Sequence, residues 1–226
     1  MPNLTHFFCT LAALWLSTGF AFAVERVDLS LLSPHWRTLH LPGTPRNQFQ
    51  TDGSILEVHS DASASFRYIE LDAQNFVTSE ISWTWRVDSH APFVSQTLKG
   101  FDDRPLAVHI WFDDTKDGQL FGAFGSVLGY PRIGHLLTYV WGAAEPAGSV
   151  LPNPHFERGT IFVVVGADGK AGEWSTVRRN IAQDYERAFG RKPDLSTLRY
   201  VAVSADSDDQ NGRSQGAIRS LSLHIR

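Results

Sequence analysis

Alternation with a period of two runs through most of this chain. In residues 80–88, Ile81, Trp83, Trp85 and Val87 share one side, and Ser82, Thr84 and Arg86 share the other. That is the signature of a strand with one face in a core. In 107–113, Val108, Ile110 and Phe112 oppose His109, Trp111 and Asp113. In 199–206, Val201, Val203 and Ala205 oppose Tyr200, Ala202 and Ser204. Similar runs at 55–60, 65–70, 136–141, 160–165, 174–178 and 218–225 bring the expectation to about nine strands. Turn residues separate them: Leu41-Pro42-Gly43, Asp117-Gly118, Pro152-Asn153-Pro154, Ala167-Asp168-Gly169 and Asn211-Gly212. Many short strands with such punctuation predict an all-β, two-sheet antiparallel β-sandwich, jelly-roll-like in outline.

One helix interrupts the pattern. Asn180 supplies a cap, and Gln183 completes a capping box. Ile181, Tyr185 and Ala188 form a single stripe, and Gly190 followed by Pro193 stops the run. The prediction is a short helix near 181–190, strapped across one end of the sandwich.

The first residues read differently. The stretch 4–22 carries no Lys, Arg, Asp or Glu and runs into Ala21-Phe22-Ala23, a small-residue cleavage pattern. The expectation is a signal peptide over 1–23 and a single domain over 24–226, exported to the periplasm or beyond. A membrane anchor is the rival reading, since the apolar stretch is long enough to span; its small-residue end favours cleavage. No second apolar span follows, so no membrane span is expected after cleavage. The only cysteine, Cys9, lies inside the leader, which excludes disulfides, a thiol nucleophile and a cysteine zinc site from the mature chain. Twenty Lys+Arg against 24 Asp+Glu leave a net charge of −4, unsuited to gripping nucleic acid.

Candidate chemistry gathers in three places. Asp102-Asp103-Arg104 precedes the strand at 107, and Asp206-Ser207-Asp208-Asp209 follows the strand at 199. If both lie at one end of the sandwich, several carboxylates crowd round Arg104. Asp206 and Asp208 are then candidate oxygen ligands for Ca²⁺, although their spacing departs from a calcium loop and position twelve is Ala217. Strand-ending aspartates that bond their own turns are the plainer reading. Second, His109, Trp111, Tyr139, Trp141 and Tyr200, together with Thr84 and Arg86, would form one sheet surface if their faces coincide. Flat rings beside hydrogen-bond donors suit a sugar; a covered, ordinary core is the alternative. Third, Arg86, Arg104 and Arg179 could receive a carboxylate in two-pronged fashion, or Arg179 could simply pair with Asp184. No H-E-x-x-H, G-x-S-x-G, G-x-G-x-x-G or phosphate-binding loop occurs.

Five segments carry a resemblance: SWTWRV (82–87), GFDDRPLAVHIWF (100–112), LTYVWG (137–142), EWSTVRRNIAQDYERAFGRKP (173–193) and VAVSADSDD (201–209). In this order they resemble the bacterial domain of unknown function family 3047. The resemblance implies an exported β-sandwich without an established activity, and it hands over no catalytic residue.

The resulting expectation is a non-catalytic binder of a carbohydrate or other small polar ligand. Its ligand-binding candidates are Arg86, Asp102, Asp103, Arg104, His109, Trp111, Tyr139, Trp141, Arg179 and Tyr200. No cofactor other than calcium is in view. Two alternatives stand beside it: a carbohydrate-active enzyme, hydrolase or lyase, built on Arg86, Asp102, Asp103 and His109, and an envelope structural or protein-interaction domain.

Overall fold

The computed structural model describes residues 25–71, 78–116 and 129–225. The expected signal peptide over 1–23 and the Asp117-Gly118 turn lie outside the described residues. Thirteen strands and one α-helix are described. The strands are β1 (Glu25–Asp28), β2 (Arg37–His40), β3 (Gln48–Asp52), β4 (Ile55–Asp61), β5 (Ala64–Glu70), β6 (Thr78–Ser89) and β7 (Arg104–Phe112), then β8 (His135–Val140), β9 (Val150–Pro152), β10 (Gly159–Val163), β11 (Ser175–Asn180), β12 (Leu198–Asp206) and β13 (Arg213–Ile225). The helix, α1 (Ile181–Phe189), falls between β11 and β12.

The strands form two sheets. One runs β11-β6-β13-β4-β3, with β1 also paired to β13. The other runs β2-β5-β12-β7-β8-β10-β9. All nine expected strands are present. The four additional ones, β1, β2, β3 and β9, have three to five residues each, too short for alternation to register. Pairing is antiparallel except between β8 and β10, which run parallel.

The main core lies between the sheets. Ile81, Trp83, Trp85 and Val87 of β6 are fully buried there against Leu106, Val108, Ile110 and Phe112 of β7. The two sheets meet ring to ring: Tyr139 of β8 lies 5.3 Å from Trp83. Burying apolar surface of this extent is what holds the layers together.

Helix α1 follows its sequence signals. The Asn180 side chain accepts from the Gln183 N–H at 3.0 Å, and Gly190 ends the helix at φ 69°, a left-handed conformation that glycine adopts without strain. Ile181 and Tyr185 enter the core. Asp184 is held by two of the three Arg179 guanidinium nitrogens, at 2.8 and 2.6 Å, and by the Tyr139 hydroxyl at 2.8 Å.

Candidate functional site: a cleft on the outer face of the second sheet

Register decides which side chains reach the outer face of the seven-stranded sheet. Val108 pairs with Tyr139, and His109 with Thr138. Directly paired residues point the same way, so Tyr139 follows Val108 into the core while Thr138 joins His109 outside. On β12, Ala202 pairs with His109 and Ser204 with Ala107. The register then shifts between Ser204 and Asp206, bringing Asp206 opposite Arg104. This β-bulge opposes Pro105 and Leu106 to Ala205, so Arg104 returns to the His109 side.

That face carries its own apolar cluster: Leu39, Tyr68, Trp111, Ile133, Leu136 and Ala202, with Phe66, Tyr130, Phe156 and Tyr200 packed against it. Trp111 contacts Phe66, Tyr68 and Tyr200 at ring separations of 5.7, 5.7 and 6.1 Å. Trp111 is 2% exposed and His109 3%, so the face is not an open aromatic platform. Instead a cleft of about 340 Å³ reaches it between two loops. Leu41, Pro42 and Thr44 form one wall; Asn153, His155 and Phe156 form the other. Phe66, His109, Trp111, Leu136 and Thr138 line it from the sheet, and Arg104, Asp206, Asp208 and Asp209 close its polar end.

The polar end is tightly wired. One Arg104 terminal nitrogen donates to Asp102 at 3.2 Å and to Asp206 at 3.1 Å. His155 Nε2 lies 2.7 Å from the other Asp102 oxygen. Both Asp103 oxygens accept backbone N–H groups, from Asp209 and Gln210, at 3.1 Å each. The Asp102 N–H donates to Asp209 at 3.2 Å, and the Thr44 hydroxyl donates to Asp208 at 3.3 Å. A buried serine network (Ser60, Ser63 and Ser207) anchors the base of the acidic turn.

The environments drive these groups apart. Burial alone would raise Asp102, but the His155 hydrogen bond and the Arg104 charge outweigh it and hold the carboxyl below its ordinary value. Asp206 moves well above its ordinary value, first because it is desolvated; Arg104 offsets part of this, and a hydrogen bond shared with Asp208, together with the Asp208 charge, pushes it further up. The buried Asp206 Oδ1 meets no donor among the described residues, while the Asp208 carboxyl lies within hydrogen-bonding reach of the Asp206 carboxyl. Burial, with Arg104 nearby, depresses His109 well below its ordinary value. The neutral ring sits between the Thr138 and Ser204 hydroxyls, at 3.0 and 2.8 Å.

The expected surface therefore divides. Arg104, His109, Trp111, Asp206 and Asp208 line the cleft. Asp102 and Asp103 brace its polar end, and Tyr200 packs on Trp111. Five expected residues lie elsewhere. Tyr139 and Trp141 belong to the inter-sheet core, because the register turns them inward with Val108. Arg86 lies on the other sheet, paired with Asp88 and stacked on Trp174. Thr84, on the same strand, bonds Thr176. Arg179 ties helix α1 to Asp184.

His155, Asn153, Phe66 and Thr138 complete the cleft and were not singled out from the sequence, whereas Asp209 belongs to the acidic turn that was. His155 follows a Pro-Asn-Pro turn, and the Asn153 side chain accepts its N–H at 2.9 Å. Its partner Asp102 is 53 residues away, a separation that carries no local signal.

Asp103 joins Asp206 and Asp208 in a trio whose ligand atoms lie within 4.8 Å of one another. Among the described residues, these three could hold a cation. Arg104 and two N–H groups already occupy much of their bonding capacity, leaving fewer free oxygens than the six to eight ligands Ca²⁺ takes.

Fold and site together define a two-sheet β-sandwich with a walled, half-apolar and half-acidic cleft on one outer face. The chain belongs to the family described as "Protein of unknown function (DUF3047)", whose model matches residues 34–222. No curated protein matches it. Among solved structures it is similar to the xyloglucanase domain of NopAA, a type three effector from Sinorhizobium fredii, in complex with cellobiose. The TM-score is 0.50 at 10% identity, over 84% of this chain and 93% of that one. It is also similar to the family 11 carbohydrate-binding module of the Clostridium thermocellum cellulase Lic26A-Cel5E. There the TM-score is 0.48 at 9% identity, over 91% of this chain and 96% of that one. At 10% identity the likeness to the xyloglucanase domain shows the fold alone.

Proposed function

We propose that this protein is exported and binds carbohydrate in the cleft of its seven-stranded sheet. The observation that carries the reading is the division of the cleft. Leu41, Phe66, Trp111, Leu136 and Phe156 offer flat apolar surface, and Arg104, Thr138, Asn153, His155, Asp206 and Asp208 offer donors and acceptors within the same 340 Å³. A sugar ring presents both kinds of surface, C–H faces and hydroxyl edges, and such a cleft satisfies both. The charge-free apolar stretch before Ala23 supports export.

The solved xyloglucanase domain shares the fold and holds cellobiose, which makes β-glucan oligosaccharides the first ligands to test. Calorimetric titration of the mature chain with cellotetraose, xyloglucan oligosaccharides and laminaritetraose tests the reading. Saturable binding that weakens when Phe156→Ala opens the wall supports it. No heat from any glycan, together with unchanged intrinsic tryptophan fluorescence, removes it.

A further inference from the structure

We infer that the turn from Leu98 to Phe101 is an outer subsite of the cleft, where Phe101, with Leu98 beside it, stacks against the rings of a glycan too long for the cleft alone. This rests on carbohydrate binding in the cleft and deepens it by setting the length of the ligand.

The turn is held firmly and yet shows apolar side chains to water. The Phe101 N–H donates to the Leu98 carbonyl at 3.0 Å, closing a β-turn. Its third residue, Gly100, takes φ 79°, a left-handed value that glycine supplies without strain. The first and fourth residues of a β-turn have Cα atoms within about 7 Å of each other, so Leu98 and Phe101 stand side by side. Just before them Gln96 is fully buried and donates to the Asp103 carbonyl at 2.9 Å. The Gln96 N–H is itself held by Glu145 at 3.2 Å. Among the described residues three large apolar side chains are exposed, and two of them are Leu98, at 58%, and Phe101, at 61%. Side chains left in water add little to folding. An apolar pair on a fixed backbone loses little freedom when a ligand covers it.

The turn adjoins the polar end of the cleft. The Asp102 carboxylate, next in the chain, meets His155 Nε2 at 2.7 Å and lies within reach of the Gly100 N–H. One carboxylate thus joins the turn to His155, a lining residue of the cleft. The Asp102 N–H donates to Asp209, another lining residue, at 3.2 Å. Phe101 is therefore the immediate chain neighbour of a residue that touches the cleft lining twice.

The occupant follows from the length of the cleft. Its lining on β7 runs from Arg104 to Trp111, about 23 Å of strand, which is the length of a short oligosaccharide. His155 is 45% exposed, so the cleft is open to solvent beside it. A linear glycan that fills the cleft and continues passes over His155 and meets the turn. The polar end bonds its hydroxyl edges, and Phe101 supplies flat apolar surface for the ring faces that follow.

The test is calorimetric titration of the chain over residues 24–226 with cellotetraose, which the cleft accommodates, and with cellohexaose, which extends beyond it. The unaltered chain is expected to bind cellohexaose on the order of 10-fold more tightly. Phe101→Ala is expected to remove most of that gain. Because the ring is exposed, the same variant is expected to keep its urea midpoint and a cellotetraose dissociation constant within about 2-fold. Phe101→Trp is expected to keep the gain, and Phe156→Ala, in the cleft wall, to weaken both lengths. A gain that survives Phe101→Ala, or cellohexaose bound no more tightly than cellotetraose, overturns the subsite and leaves binding in the cleft standing. Flotation with vesicles of phosphatidylethanolamine and phosphatidylglycerol that Phe101→Ala abolishes, with cellohexaose affinity unchanged, assigns the turn to a lipid surface and overturns the subsite as well. Binding of neither oligosaccharide removes the subsite together with cello-oligosaccharides as ligands of the cleft.

Discussion

Arg104 at the start of β7 stands opposite Asp206 at the end of β12, and their side chains meet at 3.1 Å from positions 102 residues apart. The β-bulge beside them makes the contact possible, since uninterrupted alternation from His109 would send Arg104 into the core. The guanidinium side chain is only 8% exposed and serves two carboxylates. Burial alone would lower its pKa, but Asp206 and Asp102 raise it, so the cation is permanent. Arg104→Met would leave Asp102 and Asp206 beside a neutral side chain. The expected loss is about 3–5 kcal/mol of stability, read as a fall in the urea midpoint. Arg104→Lys keeps the charge but not the forked geometry, and recovers only part of it.

His109 makes stability depend on pH. Its folded-state pKa is depressed well below 6.5 by burial. The unfolded chain therefore takes up a proton as the pH falls through about 6.5, while the folded chain does not. The stability His109 contributes is present above that value and is lost as pH falls toward the folded-state pKa. The slope approaches about 1.4 kcal/mol per pH unit. Asp206, raised in the folded state, acts with the opposite sign. His109→Gln, which can still bond Thr138 and Ser204, is expected to flatten the decline between pH 7 and 5. Urea melts of both proteins across that range check it; identical slopes would contradict the assignment.

Tyr139 and Trp141 test the division of the aromatic residues. Tyr139→Phe removes one of the three hydrogen bonds on Asp184 and is expected to cost about 1–2 kcal/mol, with glycan affinity unchanged. Trp141→Ala, in the main core, is expected to cost about 3–5 kcal/mol. Changes in affinity without loss of stability would put these residues back on the ligand surface.

Asn180→Ala probes the helix strap. Loss of the cap hydrogen bond to Gln183 is expected to lower stability by about 1 kcal/mol. Because α1 packs far from the cleft walls in sequence and contacts β6, β8 and β11, the dissociation constant is expected to stay the same.

Much of the architecture was legible because amphipathic strands announce their faces. In β6, tryptophans alternate with Ser82, Thr84 and Arg86, and the inward set is correct. In β8 the contrast is missing. Leu136, Leu137, Tyr139 and Val140 are all buried because the sheet is covered on both sides, so parity could not be read and Tyr139 was expected outside. The sharing of one face by Arg86 and His109 failed for a different reason: periodicity assigns faces within a strand but not strands to sheets. The acidic ends at Asp102 and Asp206 were recognisable as turns, and their meeting at Arg104 was a correct conditional expectation. His155 remained hidden because a chain reversal rich in proline looks the same whether or not a distant carboxylate awaits its ring.

Chemical-shift mapping of the ¹⁵N-labelled chain over residues 24–226 during titration with cellotetraose tests the central claim most directly. The account predicts perturbations confined to residues 41–44, 104–111, 133–138, 153–156 and 204–209, with the Trp111 indole N–H among the largest. Perturbations centred on β6, β11 and β13 around Trp174, or an unchanged spectrum at saturating ligand, would contradict it.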